Sequence, residues 1–286
     1  MKQSINNCYV ADKYSNLTLF AQEMREQYAA GTPFPHITID NFFDNQILEE
    51  VADTFPNLSK DSLSTRFKNN TEIKLASARG DKQQSEPIRY FLRYLNSSPF
   101  IDFLQQLTSI NEPLIPDPHF LGGGLHEIKP GGLLKIHADF CRHYETGLDR
   151  RINILIYLNR DWQEEYGGHL QLWDSDMKRC EKKILPIFNR IVIFNTTDFT
   201  YHGHPDPVTC PTHRSRKSLA LYYYSNGRPK HELRPSHWNQ STLFKERPGE
   251  VFLPQAKDHR LKVIARSLLP PIIYSALKVL RAILSK

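Results

Sequence analysis

The chain has 286 residues, of which 40% are hydrophobic and 24% charged, with a formal net charge of +6. That suits a globular chain with a sizeable core, and its basic residues are scattered outside the C-terminal stretch, so no nucleic-acid partner is expected. Four cysteines, Cys8, Cys141, Cys180 and Cys210, share no CxxC spacing, which argues against a disulfide framework and for a reducing, cytoplasmic setting.

The N-terminal segment has no apolar h-region of a signal peptide, and no run of about 18 apolar residues reads as a membrane-spanning helix. A helix is predicted from about Leu17 to Ala30, stopped by Gly31 and Pro33. "FPHITIDNFF" alternates like a strand, and Asp44 is placed to cap a helix over "NQILEEVADTF". Residues 57–85 are polar and read as loop. Helical patterning returns in "PIRYFLRYLN" and "PFIDFLQQLTSI". Residues 1–115 are therefore expected to be helical support around one or two strands, forming one domain with the β-rich residues after them.

From Pro116 the texture changes. "HFLGGGLHEIKPGGLLKIHADF", "RINILIYLN", "GGHLQLWD", "KKILPIFNRIVIFNTT" and "SLALYYYS" are short β-rich runs broken by Gly, Pro, Asn and Asp. Without intervening helical periods they predict a jelly-roll, or double-stranded β-helix, over residues 116–227. The fold class is thus mainly β with supporting helices. Residues 228–286 read as a polar linker and a basic, amphipathic tail.

Strand alternation puts the side chains of His137 and Asp139 on one face, with Ala138 between them on the other. An imidazole and a carboxylate aimed at one point suit a metal. Two His and one carboxylate, with positions left open, are the ligand set for Fe(II). The third ligand is expected from a distant strand, and His202 in "FNTTDFTYHGHPDPV" lies 65 residues beyond His137. His204 competes with it, because both imidazoles of "HGH" would face one side of an extended segment. His126, His143 and His169 read as structural or substrate-facing. Fourteen residues past His202, Arg216 opens a strand in which Arg216, Ser218, Ala220 and Tyr222 share a face opposite Lys217, Leu219, Leu221 and Tyr223. An Arg at the mouth of a closed barrel fits a bidentate contact with a carboxylate.

Together "HAD", "YLNRDW", "YGGHLQLW", "PIFNRIVIFN", "YHGHPDPV" and "RKSLALYYY" give the stretch from about Gly122 to Gly227 a clear family character. It resembles the prolyl 4-hydroxylase-like family of 2-oxoglutarate- and Fe(II)-dependent oxygenases. "FPHITIDNFFD" also resembles the strand and helix that lead into such cores. The resemblance implies that His137, Asp139 and His202 hold the iron and that Arg216 binds the C5 carboxylate of 2-oxoglutarate, with Arg214 as the alternative. It further implies Tyr157 and Ser218 beside the co-substrate, Tyr222 on the substrate side, and ascorbate as a candidate accessory reductant. The implied reaction is oxidative decarboxylation of 2-oxoglutarate to succinate and carbon dioxide, coupled to hydroxylation of a C–H bond. Asp139 favours hydroxylation over halogenation, because the halogenase branch replaces this carboxylate with a small residue.

Two other readings stand beside it: a catalytically inactive jelly-roll binding domain, and a cupin-like metalloenzyme that does not use 2-oxoglutarate. The acceptor stays open between a prolyl residue in a protein, a free amino acid and a biosynthetic intermediate.

In the tail, after Pro270-Pro271, Ile273, Leu277, Leu280 and Leu284 recur at helical spacing, with Lys278 and Arg281 off the stripe. A helix packed on the domain itself is the plainer expectation. A peripheral membrane anchor or a dimer contact is the functional alternative. Liposome flotation of the full chain and of a chain lacking residues 270–286 separates the two, since equal flotation would eliminate the anchor.

Overall fold

In the computed structural model, residues 8–78, 80–232 and 241–252 are described. Their helices are α1 (Leu17–Ala29), α2 (Asn45–Asp53), α3 (Glu86–Leu95) and α4 (Ser98–Thr108). The first strands are β1 (His36–Asp40), β2 (Thr65–Lys68), β3 (Glu72–Ala76) and β4 (Ile115–Pro116). The core strands are β5 (Gly124–Ile128), β6 (Leu133–Ala138), β7 (Asp149–Tyr157), β8 (Leu170–Trp173), β9 (Cys180–Ile184), β10 (Arg190–Asn195), β11 (Tyr201–His204) and β12 (Arg216–Ser225), followed by β13 (Leu243–Phe244). They form one curled antiparallel sheet whose main path runs β1-β10-β7-β12-β5-β3-β6-β11-β8-β9. Residues up to Glu250 belong to one compact unit.

Both faces of the central strands are buried, and period two sorts their side chains. Ile152, Ile154 and Ile156 of β7 join Ile191 and Ile193 of β10 and Leu219, Leu221 and Tyr223 of β12 in one apolar cluster. Phe91 and Leu92 of α3 and Phe103 and Leu104 of α4 complete that cluster, so the helices cover the outside of the curl. On the inner face Tyr157, Val192 and Phe194 meet Leu170, Leu172 and Ile184 from the opposite side. The predicted architecture holds: a mainly β, double-stranded β-helix core with N-terminal helices packed on it.

The helices start where the sequence places them. The Asn16 side chain accepts from Leu19 N at 3.1 Å and that of Asp44 from Ile47 N at 2.9 Å, each satisfying an otherwise orphaned donor of the first turn. Pro87 and Pro99 stand in the first turns of α3 and α4, where a missing N–H costs nothing.

Two segments differ from expectation. Residues 57–85 contain the hairpin β2–β3, and β3 bridges β5 and β6. Polarity hid it, because β2 is exposed or half-buried throughout and β3 buries only Ala76. Part of the stretch read as linker, Leu243–Phe244, is β13, and it pairs with Ala138 and His137 of β6. The amphipathic stripe after Pro270-Pro271 lies outside the described residues. Among those described, no helix is long and apolar enough to cross a membrane.

The β1–α2 corner is held by Asn189, which is buried and has φ 57°. Its carboxamide accepts from Phe43 N at 3.0 Å and donates to Phe43 O at 2.9 Å, as a paired backbone would. Asn189→Ala strands both groups and puts alanine in left-handed backbone. A loss of about 2–3 kcal/mol is expected, read as a lower urea midpoint with an unchanged m-value.

Candidate active site

The register between β6 and β11 places His202 opposite His137. Gly203 makes this approach possible, since a Cβ there would stand 2.8 Å from the carbonyl oxygens of Leu134 and Lys135. The Nδ1–H of His137 donates to Lys135 O at 2.8 Å, and that of His202 to Thr200 O at 3.1 Å. Each ring is thereby fixed with Nε2 facing the Asp139 carboxylate, at 3.6 Å for His137 and 3.3 Å for His202. The three ligand atoms lie within 4.8 Å of one another, and all three side chains are buried. Two imidazoles in the metal-ready tautomer and one carboxylate fit a divalent cation with coordination positions to spare.

Electrostatics keep the ligands ready. Burial, with the neighbouring His202 ring, pushes His137 below its ordinary range, so it stays neutral with its lone pair available. Burial alone would raise Asp139, but the Arg150 guanidinium and the two imidazoles outweigh it and hold the carboxyl well below the usual range. Arg150 Nη2 donates to Asp139 Oδ2 at 3.0 Å and Asn153 Nδ2 donates to the same oxygen at 2.6 Å. Arg150 Nε in turn donates to Asn153 Oδ1 at 2.8 Å.

Deeper in the curl lies Arg216, only 3% exposed. Its Nε donates to Gly168 O at 2.8 Å and its Nη2 to Tyr157 Oη at 3.3 Å. A Cβ on Gly168 would stand 2.9 Å from Arg216 Cδ, so the guanidinium occupies the space that glycine leaves. Among the described residues no carboxylate pairs with Arg216, and burial lowers its pKa. Ser218 lies between Tyr157 on β7 and His126 on β5. Arg214 is elsewhere, donating to the carbonyls of Arg160 and Asp161 on a surface loop.

Tyr222 faces the opening. Its hydroxyl donates to Gly122 O at 2.8 Å, and the Arg150 guanidinium carbon sits 3.3 Å from its ring centroid. Phe140 closes the other side of that guanidinium at 4.5 Å. The structure thus brings His137, Asp139 and His202 into one cluster, sets Arg216 against Tyr157, the strand partner of Ser218, and packs Tyr222 on Arg150.

Other residues were missed. Asn153 shares its face with Tyr157, so a polar residue inside "RINILIYLN" was a usable signal. Arg150 has the wrong parity for that face. The pairing of β7 with β12 shifts by one residue between Tyr223 and Tyr224, and this bulge turns Arg150 inward.

Comparisons with known proteins agree with this geometry. Residues 123–224 match the model of the 2OG-Fe(II) oxygenase superfamily. That stretch of the chain is similar to the superfamily's shared core. Over 199 residues it is 28% identical to prolyl 3-hydroxylase OGFOD1 of Mus musculus, covering 67% of this chain and 33% of that protein. The chain therefore spans about a third of the length of that curated relative. A prolyl-4-hydroxylase of Pseudomonas putida superposes with a TM-score of 0.52 at 15% identity, covering 72% of this chain and 99% of that one. A Trichoplax adhaerens prolyl hydroxylase, solved with a hypoxia inducible factor peptide, gives 0.54 at 16% identity, covering 74% and 92%. Both establish a shared fold.

The Asn153 clamp has a measurable role. Asn153→Leu keeps the volume but removes the donor that orients Asp139. Co(II) titration followed by visible absorption is expected to show affinity weakened roughly 10- to 100-fold, and unchanged affinity would deny Asn153 that role.

Proposed function

We propose that the chain is a 2-oxoglutarate-dependent hydroxylase acting on a prolyl residue of a protein or peptide. The observation that carries the co-substrate is Arg216, a buried cation with no carboxylate partner among the described residues. Buried charges are as a rule paired, so this guanidinium calls for an anionic ligand, and the Nη atoms not engaged by Gly168 suit a carboxylate fork.

Bound here, Fe(II) with 2-oxoglutarate and dioxygen would supply the oxidising chemistry, one oxygen atom of O2 going to succinate as carbon dioxide leaves and the other to the acceptor C–H. The protein's part is geometry. His137, Asp139 and His202 hold the metal, and Arg216 with Tyr157 holds the distal carboxylate. Val192, Phe194, Leu170 and Leu172 exclude water from the pocket floor, which strengthens each polar contact there.

Support for a prolyl acceptor comes from the similarity to the mouse prolyl 3-hydroxylase. The complete ligand set argues against an inactive binding domain, and unpaired Arg216 against a metalloenzyme with no organic-acid co-substrate. Incubation with a proline-containing peptide library, read by succinate release and by gain of one oxygen in mass, tests the acceptor. Free amino acids and small metabolites as the sole oxidised species would refute it.

Arg216→Gln removes the proposed counter-charge, an expected cost of about 2–5 kcal/mol, or roughly a 30-fold or greater rise in the 2-oxoglutarate requirement. Lys217 points to the opposite face, its amine 5.1 Å from the Phe55 ring centroid, and Lys217→Ala should leave that requirement unchanged. 2-Oxoglutarate titration of succinate release compares the two.

A further inference from the structure

The two imidazoles of the triad are backed unequally. The ring of His202 meets Phe194 of β10 edge to face at 4.8 Å, and Phe194 is fully buried in the inner cluster. The ring of His137 instead meets Phe244 of β13, tilted, at 5.5 Å. Phe244 stands opposite His137 in the register of β13 with β6, and directly opposed residues of antiparallel strands project to the same side. Leu243, of the other parity, packs against Ile136, Ala138, Trp173 and Tyr201. One aromatic backing thus comes from the core of the sheet. The other comes from a two-residue strand in the segment after the jelly-roll.

That segment buries little of itself. Every residue from 241 to 250 is half-buried or exposed, whereas Ile136, His137 and Ala138 beside it are buried. Polar ties hold it in place. Lys245 N donates to Ile136 O at 2.8 Å, one step beyond the paired residues. The Glu250 carboxylate forms an ion pair with the Lys135 amine. Arg247 ties the same carboxylate to the end of β11, with Nε 3.2 Å from Glu250 Oε2 and Nη1 2.8 Å from Asp206 Oδ1. Lys135 serves both sides of the contact, because its carbonyl also accepts from His137 Nδ1. A segment held by a few charged contacts and two apolar side chains opens more readily than the core it covers.

We propose that residues 241–250 form a strap that seats Phe244 against His137, making Phe244 a positioning residue for that ligand and the strap the barrier to metal exchange. This rests on the reading of His137, Asp139 and His202 as a metal site. While the strap is seated, the ring holds the His137 imidazole in place and keeps water from it. When the strap lifts, His137 loses its backing, whereas His202 keeps Phe194. The metal therefore leaves by loss of His137 first, at a rate set by the ties of the strap.

The test follows metal release and needs no turnover. The full chain is loaded with Co(II), and the loss of its visible absorption is timed after excess EDTA is added. Wild type is compared with Phe244→Ala, Phe244→Leu, Glu250→Gln and the double variant Phe244→Ala/Glu250→Gln. Release is expected to quicken roughly tenfold or more in Phe244→Ala, with Phe244→Leu recovering part of the loss because it restores apolar cover. Glu250→Gln should quicken release by a smaller factor. Adding it to Phe244→Ala should change little further, since both act through the seating of one ring. If Phe244→Ala misfolds, Phe244→Leu and Glu250→Gln still decide, being conservative changes at half-buried positions. Release at the wild-type rate from folded Phe244 variants that take up Co(II) overturns the proposal and leaves the metal site standing. Faster release from Phe244→Ala with Glu250→Gln at the wild-type rate overturns the strap as the barrier. Full multiplication of the two effects in the double variant overturns their common route. No Co(II) binding by wild type overturns the metal-site reading itself.

Discussion

Register between β7 and β12 sets Tyr157 opposite Ser218 and Ile156 opposite Leu219, and the site depends on that choice of faces. With both sides of these strands buried, every residue must go either to the helix-covered cluster or to the inner pocket. A slip of one position would turn Tyr157 and Arg216 onto Phe103 and Leu104 and drive Leu219 into the pocket. The isoleucines of β7 and the leucines of β12 exact a large penalty for that error. The apolar outer face thus fixes the polar inner one.

Inside the curl two buried charges are handled in opposite ways. Asp139 is surrounded by donors: Arg150, Asn153 and two imidazoles. It is compensated before any metal arrives, which lets the carboxylate persist ionised in a dry site. Among the described residues Arg216 hydrogen-bonds only to the carbonyl of Gly168 and the hydroxyl of Tyr157, so its charge has no carboxylate beside it there. Compensation at the Asp139 end and an unpaired cation at the Arg216 end make the two ends of the inner face electrostatically distinct.

Much of this was legible in the sequence because it rests on period two. HxD on one strand, the parity of Arg216, Ser218 and Tyr222, and the caps at Asn16 and Asp44 each follow from local rules. Choosing His202 over His204 did not, since both share a parity. The opposition of His202 to His137 and the shift in register beyond it decide, and pairing across distant strands is not encoded locally. Arg150 escaped for a related reason, because a bulge at Arg151 reverses the alternation that any reading of "DRRINILIY" assumes. The β2–β3 hairpin escaped because its strands are mostly solvated and so carry no apolar signature, and β13 because two residues are too short to show a period.

Arg150 joins two parts of the site that are otherwise separate. Its guanidinium is stacked on Tyr222 and bonded to Asp139, so the aromatic wall and the carboxylate of the triad share one group. Substitutions at Tyr222 therefore reach Asp139 through Arg150, and their effects combined with substitutions at Asp139 are expected to be non-additive. The rim is constrained from both sides: a Cβ on Gly123 would stand 2.6 Å from Ala220 O, and Tyr222, Arg150 and Asp139 are tied to one another.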